Sequence, residues 1–400
     1  MEEVPSVKED LDLAYRGLAA DEQAMYRVAG LHPGPTFGPE VAAAGLETDQ
    51  AEAVRRLDGL VEAGLLTRNP DGDYRITPET HGHAVEVASK LDAEGNELAF
   101  NRIAVWYLDV ARHANSLIMP RRRKLDWDLV VGELPPEIQD RPSALTWAER
   151  YRGTLVAAVQ QTFELWWLSL AYQLADSCLP SMMIHGNTSD MVAVCEIGHE
   201  AAKEMGDDDA QMSAVKHLTR LYVQQGMGGF RKADEHLAIM VQLAAGDPWR
   251  ESNVLHCLGY TRSRRAIEAI KHVGPLAGHA PFLWQEAVGL LQIALDMVRA
   301  LDRPRSEALI LVDLGEVLVD FGAAPKAIEA LTQAADLFEN LGEDSHNVAR
   351  AQHQLGRAYN KAGRTVLARD NLEHALLAFQ EEAAVRYVAI VEQALAELPQ

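Results

Sequence analysis

Residues 314–334 read LGEVLVDFGAAPKAIEALTQA, and residues 355–375 read LGRAYNKAGRTVLARDNLEHA. Leu314-Gly315, Gly322, Ala327, Leu331 and Ala334 of the first recur, each shifted by 41, as Leu355-Gly356, Gly363, Ala368, Leu372 and Ala375 of the second. The shared residues are apolar or small and fall at helical spacing. Gly322 and Gly363 stand where a helix would end and the chain turn back. The repeating unit is therefore a pair of helices held close by small residues. Working backwards, Gly228, Ala233 and Leu237 keep the same offsets, and Gly186, Met191 and Cys195 keep them in weakened form. A copy beginning at Leu258-Gly259-Tyr260 keeps the second-helix positions at Ala287, Leu291 and Ala294, with roughly 16 extra residues between its helices around Ala266 to Pro281.

A helix-pair period of about 34 to 40 residues with an L-G…G…A…A pattern reads as tetratricopeptide-like repeats. Five units over residues 166–382 and a terminal helix at 383–400 as cap make a superhelix. The fold class expected is all-α, with one exception near the start. Leu65-Leu66-Thr67-Arg68 and Tyr74-Arg75-Ile76-Thr77 flank the turn formers Asn69-Pro70-Asp71-Gly72-Asp73, which predicts a β-hairpin. Ahead of it lie helical patterns at Val7 to Leu18, Asp21 to Leu31, Pro39 to Ala44 and Asp49 to Ala63, with a breaker run at His32-Pro33-Gly34-Pro35. Helices followed by a two-stranded wing are the order of a winged helix, placed at residues 1–97. Residues 98–165 read as a helical linker, with an amphipathic helix over Phe100 to Ile118 and a helix resuming at Ser143, a candidate N-cap.

The 400 residues suggest two or three units, and the composition is ordinary for a globular chain. The formal charge of −22, from 59 acidic and 37 basic side chains, disfavours nucleic acid and anionic lipid as partners. No window approaches 18 apolar residues, so no membrane partner is expected. The acidic N-terminus lacks an apolar signal core, and Cys178, Cys195 and Cys257 are too few for a disulfide framework, which points to the cytoplasm.

Several segments together carry a resemblance. They are Leu11 to Leu18 (LDLAYRGL), Gly30 to Pro35 (GLHPGP), Leu57 to Leu66 (LDGLVEAGLL), Tyr74-Arg75-Ile76, Trp106-Tyr107-Leu108, Met119-Pro120-Arg121-Arg122-Arg123, and Ala144 to Trp147 with Leu155 to Val159. Their order resembles the C-terminal portion of actinobacterial NB-ARC/tetratricopeptide regulators, of the STAND class of signal-transducing ATPases. Two departures accompany it. No Gly-Lys dipeptide occurs, so a Walker A loop is absent. Thr77-Pro78 stands where the family carries a nucleotide-reading His-Asp pair. The resemblance thus implies a standalone relative that kept the interaction parts and lost the switch. It also implies a winged helix that regulates rather than reads DNA.

The candidate recognition helix, Asp49 to Glu62, agrees: it carries four acids against Arg55 and Arg56. Residues 1–80 hold 16 acidic and 7 basic side chains, a net of −9, the wrong sign for a phosphate backbone. His81-Gly82-His83 points its two imidazoles apart on a helix, and Cys195 with His199 share a face better explained by packing, so no metal is expected. No nucleophile elbow or catalytic Gly-rich loop is present, and neither catalytic residues nor cofactors are expected. Trp166-Trp167, Trp249 and Trp284 read as packing residues. Arg121 to Lys124 and Arg262 to Arg265 read as solvated helix ends.

The repeat resemblance further implies that positions 2, 5, 9, 12 and 13 of each unit face a concave groove. Numbered from Ala349, these are Arg350, His353, Arg357, Asn360 and Lys361; the third unit supplies Asn253, His256, Tyr260 and Arg264, and the second Lys216 and Arg220. The fourth breaks the pattern with Leu309, Val312, Glu316, Val319 and Asp320. Basic and amide donors in an acidic chain suit an acidic peptide or a C-terminal carboxylate. The function expected is a non-catalytic regulatory or scaffold protein holding a protein or peptide, with a homo-oligomer compatible. The alternatives are a transcriptional regulator touching DNA through the winged helix, and a receptor for a small molecule or peptide signal using the same groove.

Overall fold

The computed structural model describes residues 7–120, 134–273, 278, 280–342 and 345–399. They form two compact units, one of residues up to Asn115 with 134–178, the other of 116–120 with 179–399.

In the first unit, helices α1 (Val7–Gly17) and α2 (Ala20–Leu31) lead into strand β1 (Thr36–Phe37), helices α3 (Pro39–Leu46) and α4 (Gln50–Glu62), and strands β2 (Thr67–Arg68) and β3 (Tyr74–Arg75). Helices α5 (Pro78–Lys90), α6 (Ala93–Ile118) up to Asn115, α7 (Arg141–Arg150) and α8 (Arg152–Glu164) complete it, together with the start of α9 (Leu168–His185). Helix α4 starts where its sequence says. The Asp49 carboxylate accepts the Glu52 N–H at 2.8 Å, and Ala53, Leu57 and Leu60 form its buried stripe. At α7 the cap is Asp140 rather than Ser143. Ser143 sits at the third helical position, where its N–H and hydroxyl both engage Asp140.

The hairpin is present and is joined by a third strand. In the antiparallel order β1-β3-β2, Arg75 lies opposite both Thr36 and Thr67. Two residues after a Pro-Gly-Pro run leave no periodicity to read, so β1 is visible only once β3 supplies its hydrogen bonds. His32, at the start of the same run, is buried between the Gly34 carbonyl and the Tyr107 hydroxyl, each at 2.7 Å. Burial lowers its pKa to about 4 and keeps it neutral.

The second unit runs through the rest of α9, then α10 (Thr188–Met205), α11 (Asp208–Gln224), α12 (Phe230–Ala244), α13 (Pro248–Val273), α14 (Ala280–Ala300), α15 (Pro304–Asp320), α16 (Ala324–Leu341), α17 (Ser345–Lys361), α18 (Thr365–Glu381) and α19 (Val385–Ala396). From α10 onward each helix packs on the next. In addition α11 touches α13, α13 touches α15 and α15 touches α17, so the odd-numbered helices form one continuous layer. The shared small residues make this possible. A β-carbon added at Gly315 would stand 2.4 Å from Leu331 Cγ, and one at Gly356 would stand 2.6 Å from Leu372 Cγ. The pattern thus marks where two helix axes approach too closely for any side chain.

The extra residues of the third copy are absorbed differently from the sequence expectation. They lengthen the helices: α13 continues to Val273 and α14 begins at Ala280. Trp167 stacks on Phe100 with centroids 5.5 Å apart, whereas Trp166 is exposed with a left-handed φ of 62°. Trp249 and Trp284 are half-buried against the core around α15.

Candidate ligand-binding groove

Helix α15 brings three acids to one face, Asp313, Glu316 and Asp320, at i, i+3 and i+7. Cations from both sides converge on them. Arg220 of α11 contacts both oxygens of Asp313, at 2.8 and 3.4 Å, and His256 Nε2 lies 2.8 Å from the nearer one. Arg350 of α17 approaches the same carboxylate at 3.6 Å. Arg264 of α13 pairs with Glu316 at 2.6 Å, and Arg357 of α17 pairs with Asp320 at 2.7 Å. The Tyr260 ring lies against two of these guanidiniums, whose carbons are 4.0 Å (Arg220) and 5.0 Å (Arg264) from its centroid.

Burial would raise the Asp313 carboxyl, but the Arg220 charge and the His256 hydrogen bond outweigh it and hold the group well below the usual carboxylate range. Glu316 follows the same pattern with Arg264 and is lowered. At Asp320 burial wins over Arg357 and the pKa is raised. Burial also lowers both imidazoles, His256 and His353; His353, beside Arg357, falls to about 4. Both are neutral near pH 7. Helix α15 departs from the basic pattern of its neighbours, as read from the sequence. Its acids supply the counter-charges that let arginines of neighbouring helices lie close together.

A cavity of about 550 Å³ opens beside this network. Six of the eleven expected residues line it: Arg220, Tyr260, Arg264, Arg350, His353 and Arg357. The other five lie off it. Lys216 donates to Asn253 at 2.6 Å, Asn253 donates onward to the Trp249 carbonyl at 3.0 Å, and His256 is turned to Asp313. Asn360 and Lys361, at the C-terminal end of α17, do not border the cavity. The structure adds residues that sequence reasoning missed. Arg386, Tyr387 and Ile390 come from α19, which was read only as a cap. Ile267, Glu268 and Lys271 come from the lengthened part of α13. The only advance sign of the first group was Arg386 itself, a cation on a helix otherwise rich in Val and Ala.

The remaining candidates resolve into internal contacts. Arg55 of α4 pairs with Asp21 and with Glu52, and Arg56 pairs with Glu52 at 2.8 Å, so both recognition-helix arginines are engaged within the unit. His83 bonds the Tyr26 hydroxyl at 2.8 Å while His81 faces the His32 carbonyl at 3.2 Å. Cys195 is buried, and the His199 ring meets His236 edge to face. Arg262, Arg264 and Arg265 pair with Glu286, Glu316 and Asp234. The basic step Arg121 to Lys124 lies outside the described residues. Among the described residues no helix is long and apolar enough to cross a membrane.

The array that carries the cavity can now be compared with known proteins. Residues 306–381 match the tetratricopeptide repeat family. That span covers α15 through α18, the two most regular helix pairs. Among solved structures the chain is similar to a signal-transduction ATPase with numerous domains (STAND) bearing a tetratricopeptide repeat sensor, from Pyrococcus horikoshii. The identity is 13% and the TM-score 0.43, with 99% of this chain and 56% of that one covered. It is also similar to a circular tandem repeat protein, at 15% identity and a TM-score of 0.27, covering 98% and 94%. No curated protein matches it in sequence.

Proposed function

We propose that the chain is a non-catalytic binding protein, of regulatory or scaffold type, whose tetratricopeptide-like repeats hold a peptide or protein segment bearing an acidic group on their inner layer. One observation carries this reading: six side chains chosen only for their places in the repeat meet at a single cavity on that layer. Tetratricopeptide repeats present such concave surfaces because stacked helix pairs curve. The six include four arginines, which suit bidentate grip on a carboxylate. The helix–strand–helix–helix–hairpin order of the first unit supports reading residues 1–97 as a winged helix with a structural role, since its α4 arginines are engaged. On this reading residues 98–165 link it to repeats over 166–382, and the whole works in a cytoplasmic setting as a regulator.

The test is affinity selection from a random displayed-peptide library. Asp- and Glu-rich peptides should be enriched by the native chain and lost when Arg350→Gln and Arg386→Gln are combined. Retention of duplex DNA in place of peptides, weakening linearly with the logarithm of salt concentration, would replace this reading with the DNA-binding one.

A further inference from the structure

The cavity is bounded by both ends of the repeat array. Met183 of α9 lines it at one end, and Arg386, Tyr387 and Ile390 of α19 line it at the other. The ends also approach each other directly: a β-carbon on Gly186, in the turn after α9, would stand 3.4 Å from Arg386 Cδ. Helices α11, α13, α15 and α17 supply the wall between them. The two ends of the inner layer therefore meet at this turn, beside a cavity that stays partly open to solvent. A volume of about 550 Å³ lies inside the range of small-ligand sites, roughly 300–1,000 Å³.

The charges narrow the occupant. Six basic side chains line the cavity: Arg220, Arg264, Lys271, Arg350, Arg357 and Arg386. Glu268, Glu316 and Glu397 line it too, and Asp313 and Asp320 lie behind the arginines. Six cations against five carboxylates leave one charge for a ligand. Arg386 is where it shows: among the described residues it has no hydrogen bond or ion pair. His353 gives an independent sign. Its residue is only 8% exposed, it borders the cavity, and it likewise has no hydrogen-bond partner among the described residues. An imidazole that borders the cavity without a partner is free to hydrogen-bond a ligand there.

We propose that this cavity takes a small organic anion lying wholly within it, a body bearing one carboxylate or phosphate that is gripped by Arg386 and Arg350 and hydrogen-bonded by His353. This rests on the concave-face reading and narrows its occupant to a free short peptide or another small acid.

The full chain is dialysed to equilibrium against three pools, and the retained species are read by mass spectrometry. The pools are N-acetylated tetrapeptides with free carboxylates, the same peptides as C-terminal amides, and a set of sugar phosphates and small carboxylic acids. A fourth probe is a 20-residue acidic peptide fixed between two folded domains. The expected result is at least one acid or phosphate retained more than tenfold over the amides, with a tenfold or greater loss in Arg386→Gln, an exposed position that leaves the core untouched. His353→Leu should weaken retention as well. Retention among the free-carboxylate tetrapeptides identifies a peptide, and retention only in the third pool a non-peptide acid. Equal retention of amides and acids, or retention unchanged in both variants, overturns the proposal. Retention of the doubly flanked peptide alone overturns it while leaving the concave-face reading standing. If nothing is retained at millimolar concentration, both fall.

Discussion

Helix pairs α15–α16 and α17–α18 share one packing template and carry opposite chemistry. Gly315 against Leu331 and Gly356 against Leu372 set the same close approach. On the groove side, at the same 41-residue offset, Glu316 corresponds to Arg357, Asp320 to Lys361, Val312 to His353 and Leu309 to Arg350. The buried face is dictated by how near two helices must come, while the inner face answers to whatever lies across from it. The two pairs are therefore interchangeable in packing and complementary in charge, and Asp313 and Asp320 of one hold Arg350 and Arg357 of the other.

The sharpest way to break this comparison is at Asp313 and its counterpart Gln354. Asp313→Ala leaves the partly buried Arg220 without its carboxylate and should cost about 3 kcal/mol in denaturant unfolding. Gln354→Ala removes one hydrogen bond, from Arg357 at 2.7 Å, and should cost about 1 kcal/mol. Equal losses would mean that the acidic side of the network does not organise the basic side.

Position 353 tests the same contrast by pH. The His353 pKa falls from 6.5 unfolded to about 4 folded, so between those values only the unfolded state binds the proton. Stability is unaffected above pH 6.5 and declines as the pH falls toward 4, by about 3 kcal/mol in total. His353→Val, which restores the residue found at Val312, should remove that part of the acid sensitivity. Parallel stability profiles for the two proteins from pH 7 to 4 would refute it.

The template itself predicts equality. Gly315→Ala and Gly356→Ala each drive a methyl into a buried leucine, and overpacking of about 1–3 kcal/mol exceeds the helix-propensity gain of about 1 kcal/mol. Thermal unfolding should show both destabilised by similar amounts; an effect at one position alone would separate the two pairs. The smallest effect is expected at Arg386→Gln, within about 0.5 kcal/mol of native, because that exposed side chain has no hydrogen-bond or ion-pair partner among the described residues. A larger loss would mean that α19 is held by this residue rather than presenting it.

The repeat was legible because its small residues obey a local rule: Gly and Ala at fixed offsets have the same meaning in every copy. Helix α4 was legible for a similar reason, with Asp49 as cap and an apolar stripe at Ala53, Leu57 and Leu60. Strand β1 was not, since two residues carry no period. About half of the expected groove residues lie at the cavity, and they are a minority of its lining. Arg220, Tyr260, Arg264, Arg350, His353 and Arg357 followed from register alone, whereas Lys216, Asn253 and His256 share the register but turn to internal partners. Which way a long polar side chain turns depends on the charge opposite it, and the residue opposite His256, Asp313, is 57 positions away.

The sequence by itself determined the helix pairs, their breaks and the layer that faces inward, because propensity, capping and small-residue spacing act over a few residues. Only the tertiary structure decided that α15 neutralises the arginines beside it, that the lengthened α13 forms part of the wall, and that α19 meets the turn at Gly186 across the cavity. Those outcomes depend on the summed curvature of the stacked pairs and on charges brought together from distant segments, and no local stretch of sequence encodes either one.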